Sequence, residues 1–276
     1  MISGYFFALL ASVLWGFNGV LVRKALEKVN PFLGTFYIVL ISWLCLLILS
    51  VFTGEIFRVE FEGTKVALLC LAGIFQYFFG RTLTYFSVGV VGSSRAFTGT
   101  STRIMFSALL GFAILGEEVN LMILSGILVM VAGLYILSSD TFSRRGLAIS
   151  IAGGLSYGIA SIFIKSGILE SVVVSNLISV TTALPFIFAV AYSKSSENTF
   201  SFYLLLSGIT MFLGTFSYYL ALSQAQVVVA VPVSNLYPVF TTVFSYLLIQ
   251  RLEHVSIKTL IGSVIAVMGG ILIYAG

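Results

Sequence analysis

The stretch Glu117-Glu118-Val119-Asn120-Leu121-Met122-Ile123-Leu124-Ser125-Gly126, with Gly133 seven residues further on, decides the fold because the chain carries it twice. Near the end it returns as Glu253-His254-Val255-Ser256-Ile257-Lys258-Thr259-Leu260-Ile261-Gly262, followed by Gly269. Glu, Gly and Gly recur at a uniform offset of 136, and a spacing of nine and then seven in both copies is hard to obtain by chance. A second echo lies upstream, where Trp15-Gly16 followed by Arg23 recurs 142 positions later as Tyr157-Gly158 followed by Lys165. The chain is a doubled unit.

Composition says what the unit is made of. Asp, Glu, Lys and Arg make up 9% of the 276 residues and apolar residues 59%, against roughly 25% charged residues in an average soluble protein. A water-soluble fold could not cover its surface with so few charges. Mean hydropathy is +1.12, and the apolar residues come in runs of about 20, the length that crosses a bilayer core. A soluble enzyme, a nucleic-acid binder and a disordered chain are excluded. The net charge of +4 comes from bases that mostly flank the apolar runs, so it reflects membrane edges and not a polyanionic partner. Cys45 and Cys70 fall inside apolar runs, without metal spacing or a disulfide framework.

Spans are expected at Gly4–Val22, Pro31–Val51, Lys65–Ser87, Ser94–Leu115 and Asn120–Leu137. After the polar stretch from Ser138 to Arg145 come Gly146–Ile164, Val172–Tyr192, Phe200–Leu220, Val227–Ile249 and Val255–Tyr274. The amino terminus has no basic region and the first run no small-residue cleavage site, so that run is expected to stay as a span. Strands of a β-barrel would alternate apolar and polar residues, and these runs do not. The expected fold is an all-α polytopic membrane protein: ten transmembrane helices as two inverted five-helix repeats. Residues 1–139 form the first repeat, 140–145 the connecting loop and 146–276 the second. Five spans are an odd number, so the halves enter the membrane in opposite orientation. That architecture puts a substrate site at the midplane between halves that exchange access by rocking, which points to transport.

Three motifs carry a family resemblance over the whole chain. Trp15-Gly16-Phe17-Asn18 resembles the W-G-x-N opening of the drug/metabolite transporter superfamily, EamA branch. Gly116-Glu117 and Glu253, each followed nine residues later by glycine, are similar to that family's repeat ending. Pro238, within Asn235-Leu236-Tyr237-Pro238-Val239-Phe240, matches the proline of its ninth helix, whereas Thr102 stands where the first half often carries the matching one. The resemblance implies a secondary transporter without cofactor, in a family that handles amino acids, sugars, nucleotide-sugars and drugs. It makes Trp15 and Asn18 cavity-lining candidates, the alternative being helix packing with Asn18 bonded to a neighbour.

Charges inside the spans are few. The ten acids, Glu117, Glu253 and Asp140 among them, all lie in loops or at helix ends. Of the fourteen bases, Arg81, Arg95 and Arg103 sit in or at the mouth of apolar helix beyond the usual flanking positions. An arginine near the bilayer centre costs about 2.5–3.5 kcal/mol on insertion scales and defaults to a functional reading. Arg103 lies about 13 Å along its helix from Ser94, near the midplane. On the fourth helix Arg95, Thr98, Thr102 and Arg103 fall at i, i+3, i+7 and i+8, one polar stripe. With Arg81 near the end of the preceding helix, they suggest a basic path from one face to the middle, suited to a carboxylate, phosphate or sulfate. The alternative is that Arg81 and Arg95 snorkel to lipid phosphates or bond loop carbonyls.

At the repeat offset Arg95 and Arg103 become Val231 and Val239. The second half offers Pro232 and Pro238 instead, each removing a helical hydrogen bond, with Ser234, Asn235 and Tyr237 at the same level. A discontinuous helix opposite a basic one would make a two-sided site; the alternative is a packing kink. Tyr85, Tyr218 and Tyr219 are further cavity candidates, and Tyr157 is the repeat mate of Trp15. Gly126, Gly133, Gly262 and Gly269 are expected to permit close helix approach within each half, and Glu117 and Glu253 to fix turns or meet lipid-edge bases. No span interior holds a carboxylate, which favours a facilitator or exchanger over an ion-coupled carrier.

The expected function is alternating-access transport of a small metabolite bearing a carboxylate, phosphate or other anionic group. A translocase of a phosphate-bearing lipid, or a non-transporting receptor or scaffold, is the alternative. An intramembrane enzyme would need paired aspartates, a Ser/His pair or metal ligands in the spans, and Asp140 and His254 lie in loops. Expected partners are a small-molecule substrate and membrane lipids, with no nucleic acid and no metal, in a monomer or homodimer. Short loops point to a prokaryotic inner membrane. The resemblance puts both termini in the cytoplasm, yet Arg23, Lys24, Lys28, Arg144, Arg145, Lys194, Arg251 and Lys258 outnumber Arg58, Lys65 and Lys165 on the opposite loops, which favours external termini.

Overall fold

The structure, a computed structural model, describes residues 2–91, 93–137, 144–194, 200–248 and 257–275. Residues 140–143 of the expected connecting loop, Glu253 and His254 lie outside them. The side chains of Arg95 and Thr98, inside a described helix, are likewise not described.

The described elements are helical and fall into ten consecutive units, five in each half. In the first half these are α1 Ile2–Ala25, α2 Pro31–Phe52, α3 Gly63–Val91, α4a Ser93–Thr100 with α4b Arg103–Leu115, and α5 Leu121–Leu137. In the second they are α6 Arg144–Gly167, α7 Val172–Lys194, α8 Phe202–Gln224, α9a Val227–Ser234 with α9b Tyr237–Leu248, and α10 Ile257–Ala275. Among the described residues seven helical stretches are long and apolar enough to cross a membrane; Arg103–Leu115, Leu121–Ile136 and Val264–Ala275 are shorter apolar helices. The chain is a polytopic membrane protein.

Local chemistry sets the helix ends. Asn30 caps α2 by accepting from the Phe32 amide, with Pro31 at the first helical position, where its missing N–H is not needed. Gly116 ends α4b in the left-handed region at φ 64°, which glycine alone adopts without strain.

Packing repeats when the halves are exchanged. Helix α1 packs on α8, α9a and α9b; its counterpart α6 packs on α3, α4a and α4b. Likewise α2 meets α8 as α7 meets α3, while α2–α7 and α5–α10 are paired counterparts. Each half therefore reaches into the other, and the buried core lies along the seam.

Two expectations are corrected here. The four glycines work between halves, not within each. A Cβ on Gly133 would stand 2.4 Å from the Ala266 nitrogen and 2.7 Å from the Gly262 oxygen, and one on Gly269 would stand 2.4 Å from the Met130 nitrogen and 2.6 Å from the Gly126 oxygen. Backbones this close leave room for hydrogen alone, so the glycines seal α5 against α10. The fourth helix, read as continuous, is broken at Ser101-Thr102 without a proline. Bonds from Ile104 to Ser101 and from Met105 to Thr102 tighten the chain there. The proline-flanked break of the ninth helix at Asn235-Leu236 is its partner, so both halves carry a discontinuous helix.

Candidate functional site

A narrow cavity, with about 20 Å³ of free space, lies on the seam. Its walls are Trp15 and Asn18 of α1, Gln76, Arg81 and Thr84 of α3, Phe97 of α4a, Arg103 of α4b, Tyr157 of α6 and Tyr237 of α9b. That space holds about one water, so any larger ligand requires the walls to part.

Two local irregularities bring the charges in. Residues Ile74–Arg81 of α3 form a π-helix, whose i→i+5 bonding stacks residues five apart one turn above another. Gln76 and Arg81 thereby reach the same cavity. The break in α4 does the same for Arg103, which opens α4b directly beside the cavity.

Arg103 is 3% exposed and Arg81 7%. Arg103 donates from Nη2 to Ser234 Oγ at 2.9 Å, and its guanidinium carbon stands 5.3 Å from the Trp15 ring, 5.8 Å from Tyr157 and 5.1 Å from Tyr218. Arg81 stands 5.6 Å from the Tyr85 ring and also 5.8 Å from Tyr157. Both arginines thus face one ring, separated by at most twice that distance. Neither has an acidic partner: among the described residues the one ion pair is Lys65 with Glu62. Nε of each lacks a hydrogen-bond partner, as do Trp15 Nε1, Tyr157 Oη and both polar atoms of Gln76.

Magnitudes indicate what is missing. Desolvated cation–π contacts contribute roughly 0.5–2 kcal/mol each, enough to offset much of the insertion cost of an arginine. They leave the charge itself unneutralised. An anion about 4 Å from a guanidinium gains roughly 4 kcal/mol at an effective dielectric of 20.

One further contact joins the halves. Glu117, 8% exposed, accepts from the Val227 amide at 2.7 Å and the Val228 amide at 2.9 Å, so a first-half carboxylate caps the N-terminus of α9a. Lys165 Nζ donates to Leu222 O and Ala225 O at the close of α8. Anion at a helix start and cation at a helix end both satisfy orphan backbone groups and oppose the dipole.

The family model for EamA-like transporters matches residues 2–139 and again residues 144–275. The chain belongs to the EamA-like transporter family. A protein of Archaeoglobus fulgidus described as an uncharacterized transporter is 24% identical over 274 residues, covering 96% of each chain. A protein of known crystal structure shares the fold, with a TM-score of 0.80 at 15% identity over 99% of this chain and 96% of the other. This EamA-like protein is a membrane transporter, and its cavity lies where the two matched units meet.

Against the sequence reading, the structure gathers Trp15, Asn18, Arg81, Arg103 and Tyr237 around the cavity. Ser234 touches it through Arg103. Arg81 is not near the end of its helix, because α3 runs ten residues beyond it to Val91. Thr102 turns away from the cavity that Arg103 lines, bonded to Gly99 O and lying against Gly154 of α6. Asn235 is buried at the α9 break but does not line the cavity, and Pro232 and Pro238 flank that break. Asn18 is largely saturated: its amide donates to Ser207 O, Ser207 Oγ and Thr210 Oγ1, and accepts from Tyr85 Oη. It ties α1 to α8 and α3, as the packing alternative holds. Sequence reasoning missed Gln76, Thr84 and Phe97 as wall residues. Gln76 was findable as an uncharged polar residue in an apolar run, which a survey of ionised groups passes over. Among the described residues no group of His, Cys, Asp or Glu is placed to hold a metal.

Proposed function

We propose that this protein is a secondary transporter of a small anionic metabolite, working by alternating access about the seam between its halves. One observation carries the reading: two buried guanidiniums share a cavity at that seam with no acidic partner among the described residues. The ligand's carboxylate or phosphate supplies the missing charge, and bidentate bonding to an arginine fork fixes its orientation. Residues 1–139 and 146–276 act as the rocking units, joined by 140–145, and the narrowness of the cavity fits a site that widens toward one side at a time. The archaeal relative supports a prokaryotic cell membrane, with termini on the cytoplasmic side as the family resemblance implies; a carboxy-terminal reporter active only outside would overturn that sidedness.

Uptake into proteoliposomes of carboxylates, phosphate esters, zwitterionic amino acids and organic cations tests the reading. Saturable uptake confined to the anions is expected. Uptake of cations or amino acids with no anion transported contradicts it, and scrambling of a lipid phosphate alone would move the function to lipid translocation.

A further inference from the structure

Gln76 is 1% exposed, lies in the cavity wall and has, among the described residues, no partner for either Oε1 or Nε2. The neighbouring polar side chains are occupied differently. The Asn18 amide is filled by Ser207, Thr210 and Tyr85, the Thr84 hydroxyl donates to Gly80 O, and the Tyr237 hydroxyl is shared with Thr100. The open donors on Trp15 and Tyr157 suit the oxygens of the anionic group that the arginines already call for.

Oε1 of Gln76 asks for something a fully ionised carboxylate or phosphate lacks, a proton donated by the ligand. A ligand ammonium would donate it, but the described residues lining the cavity include no acid and two guanidiniums would repel it. A neutral hydroxyl meets both atoms at once, donating to Oε1 while accepting from Nε2–H. Building on the anion reading above, we propose that Gln76 is the specificity-determining residue and that the substrate is a hydroxylated anion, a hydroxy acid or a polyol phosphate. A site that hydrogen-bonds a substrate hydroxyl rejects the analogue lacking it far more strongly than an apolar pocket rejects a missing methylene.

The test is calorimetric binding to the purified full-length protein with two matched pairs, malate against succinate and glycerol 3-phosphate against propyl phosphate. The wild type should prefer the hydroxylated member of at least one pair by about tenfold or more, and the responding pair tells carboxylate from phosphate. Gln76→Leu and Gln76→Met should melt no lower than the wild type and bind both members of that pair about equally. Arg103→Gln should lose both members. Equal binding of hydroxylated and deoxy members by the wild type, an unchanged preference in the Gln76 variants, or early melting of both variants overturns the role of Gln76 while leaving the anion reading in place. Failure of the wild type to bind any of the four anions overturns both.

Discussion

Arg103 Nη2 donates to Ser234 Oγ at 2.9 Å, a bond that runs from the first half of the chain to the second beside the cavity they share. The serine passes the contact on by donating to Val231 O within its own helix. A hydrogen bond to a charged group is worth roughly 1.5–3 kcal/mol, and among the described residues no carboxylate pairs with Arg103. Ser234→Ala should therefore lower the melting temperature of the protein, whereas Ser234→Thr, which keeps the hydroxyl, should recover much of it. An unchanged melting curve for Ser234→Ala would mean that the bond contributes nothing.

Tyr157 serves both arginines through one ring, and its hydroxyl has no partner among the described residues. Tyr157→Phe keeps the ring and removes an unsatisfied group, so its stability should match or exceed the wild type. Tyr157→Leu removes two cation–π contacts of roughly 0.5–2 kcal/mol each. Thermal melts should rank Phe at or above Tyr and Leu clearly below. Equal losses in both variants would show that the ring is mere filler.

Glu117 caps α9a from the other half with both carboxylate oxygens. Glu117→Gln retains one acceptor and forfeits the charge; Glu117→Ala leaves two buried amides unpaired, at about 1–3 kcal/mol each. Melting temperatures should fall in the order wild type, Gln, Ala. An alanine variant as stable as the wild type would remove Glu117 from the set of contacts that hold the halves together.

Much of this was legible in the sequence, for reasons that differ by residue. The repeat of Glu117, Gly126 and Gly133 is a pattern in one dimension, and so are the apolar runs, so the doubling and the polytopic helical class could be read directly. Arg81 and Arg103 stood out because a charge in an apolar run is costly. What failed were inferences that assume a straight α-helix. The π stretch moves Arg81 and Gln76 onto one wall, and the break before Arg103 turns Thr102 elsewhere. The glycine seam was assigned within each half because sequence spacing reports which residues share a face, not which helix faces them.

That seam is itself testable. A methyl group on Gly133 or Gly269 would strike backbone of the opposite half, 2.4 Å from Ala266 N or Met130 N. Overpacking of this kind typically costs 1–3 kcal/mol and sometimes more. Gly133→Ala and Gly269→Ala should each lower the melting temperature. Gly63→Ala, where a Cβ meets nothing within 4 Å, should not. Tolerance of both seam substitutions would place the α5–α10 contact further apart than described.

The role proposed for Arg81 and Arg103, buried without acidic partners among the described residues, is to hold the anionic group of the substrate. Its most direct test is the rate of anion uptake into proteoliposomes by the wild type, Arg103→Gln and Arg81→Gln, with the amount of folded protein in each preparation fixed by size-exclusion chromatography. Saturable uptake by the wild type is expected, with a loss of at least about tenfold in each variant, the equivalent of about 1.4 kcal/mol for every tenfold. Undiminished uptake by folded Arg103→Gln would contradict it.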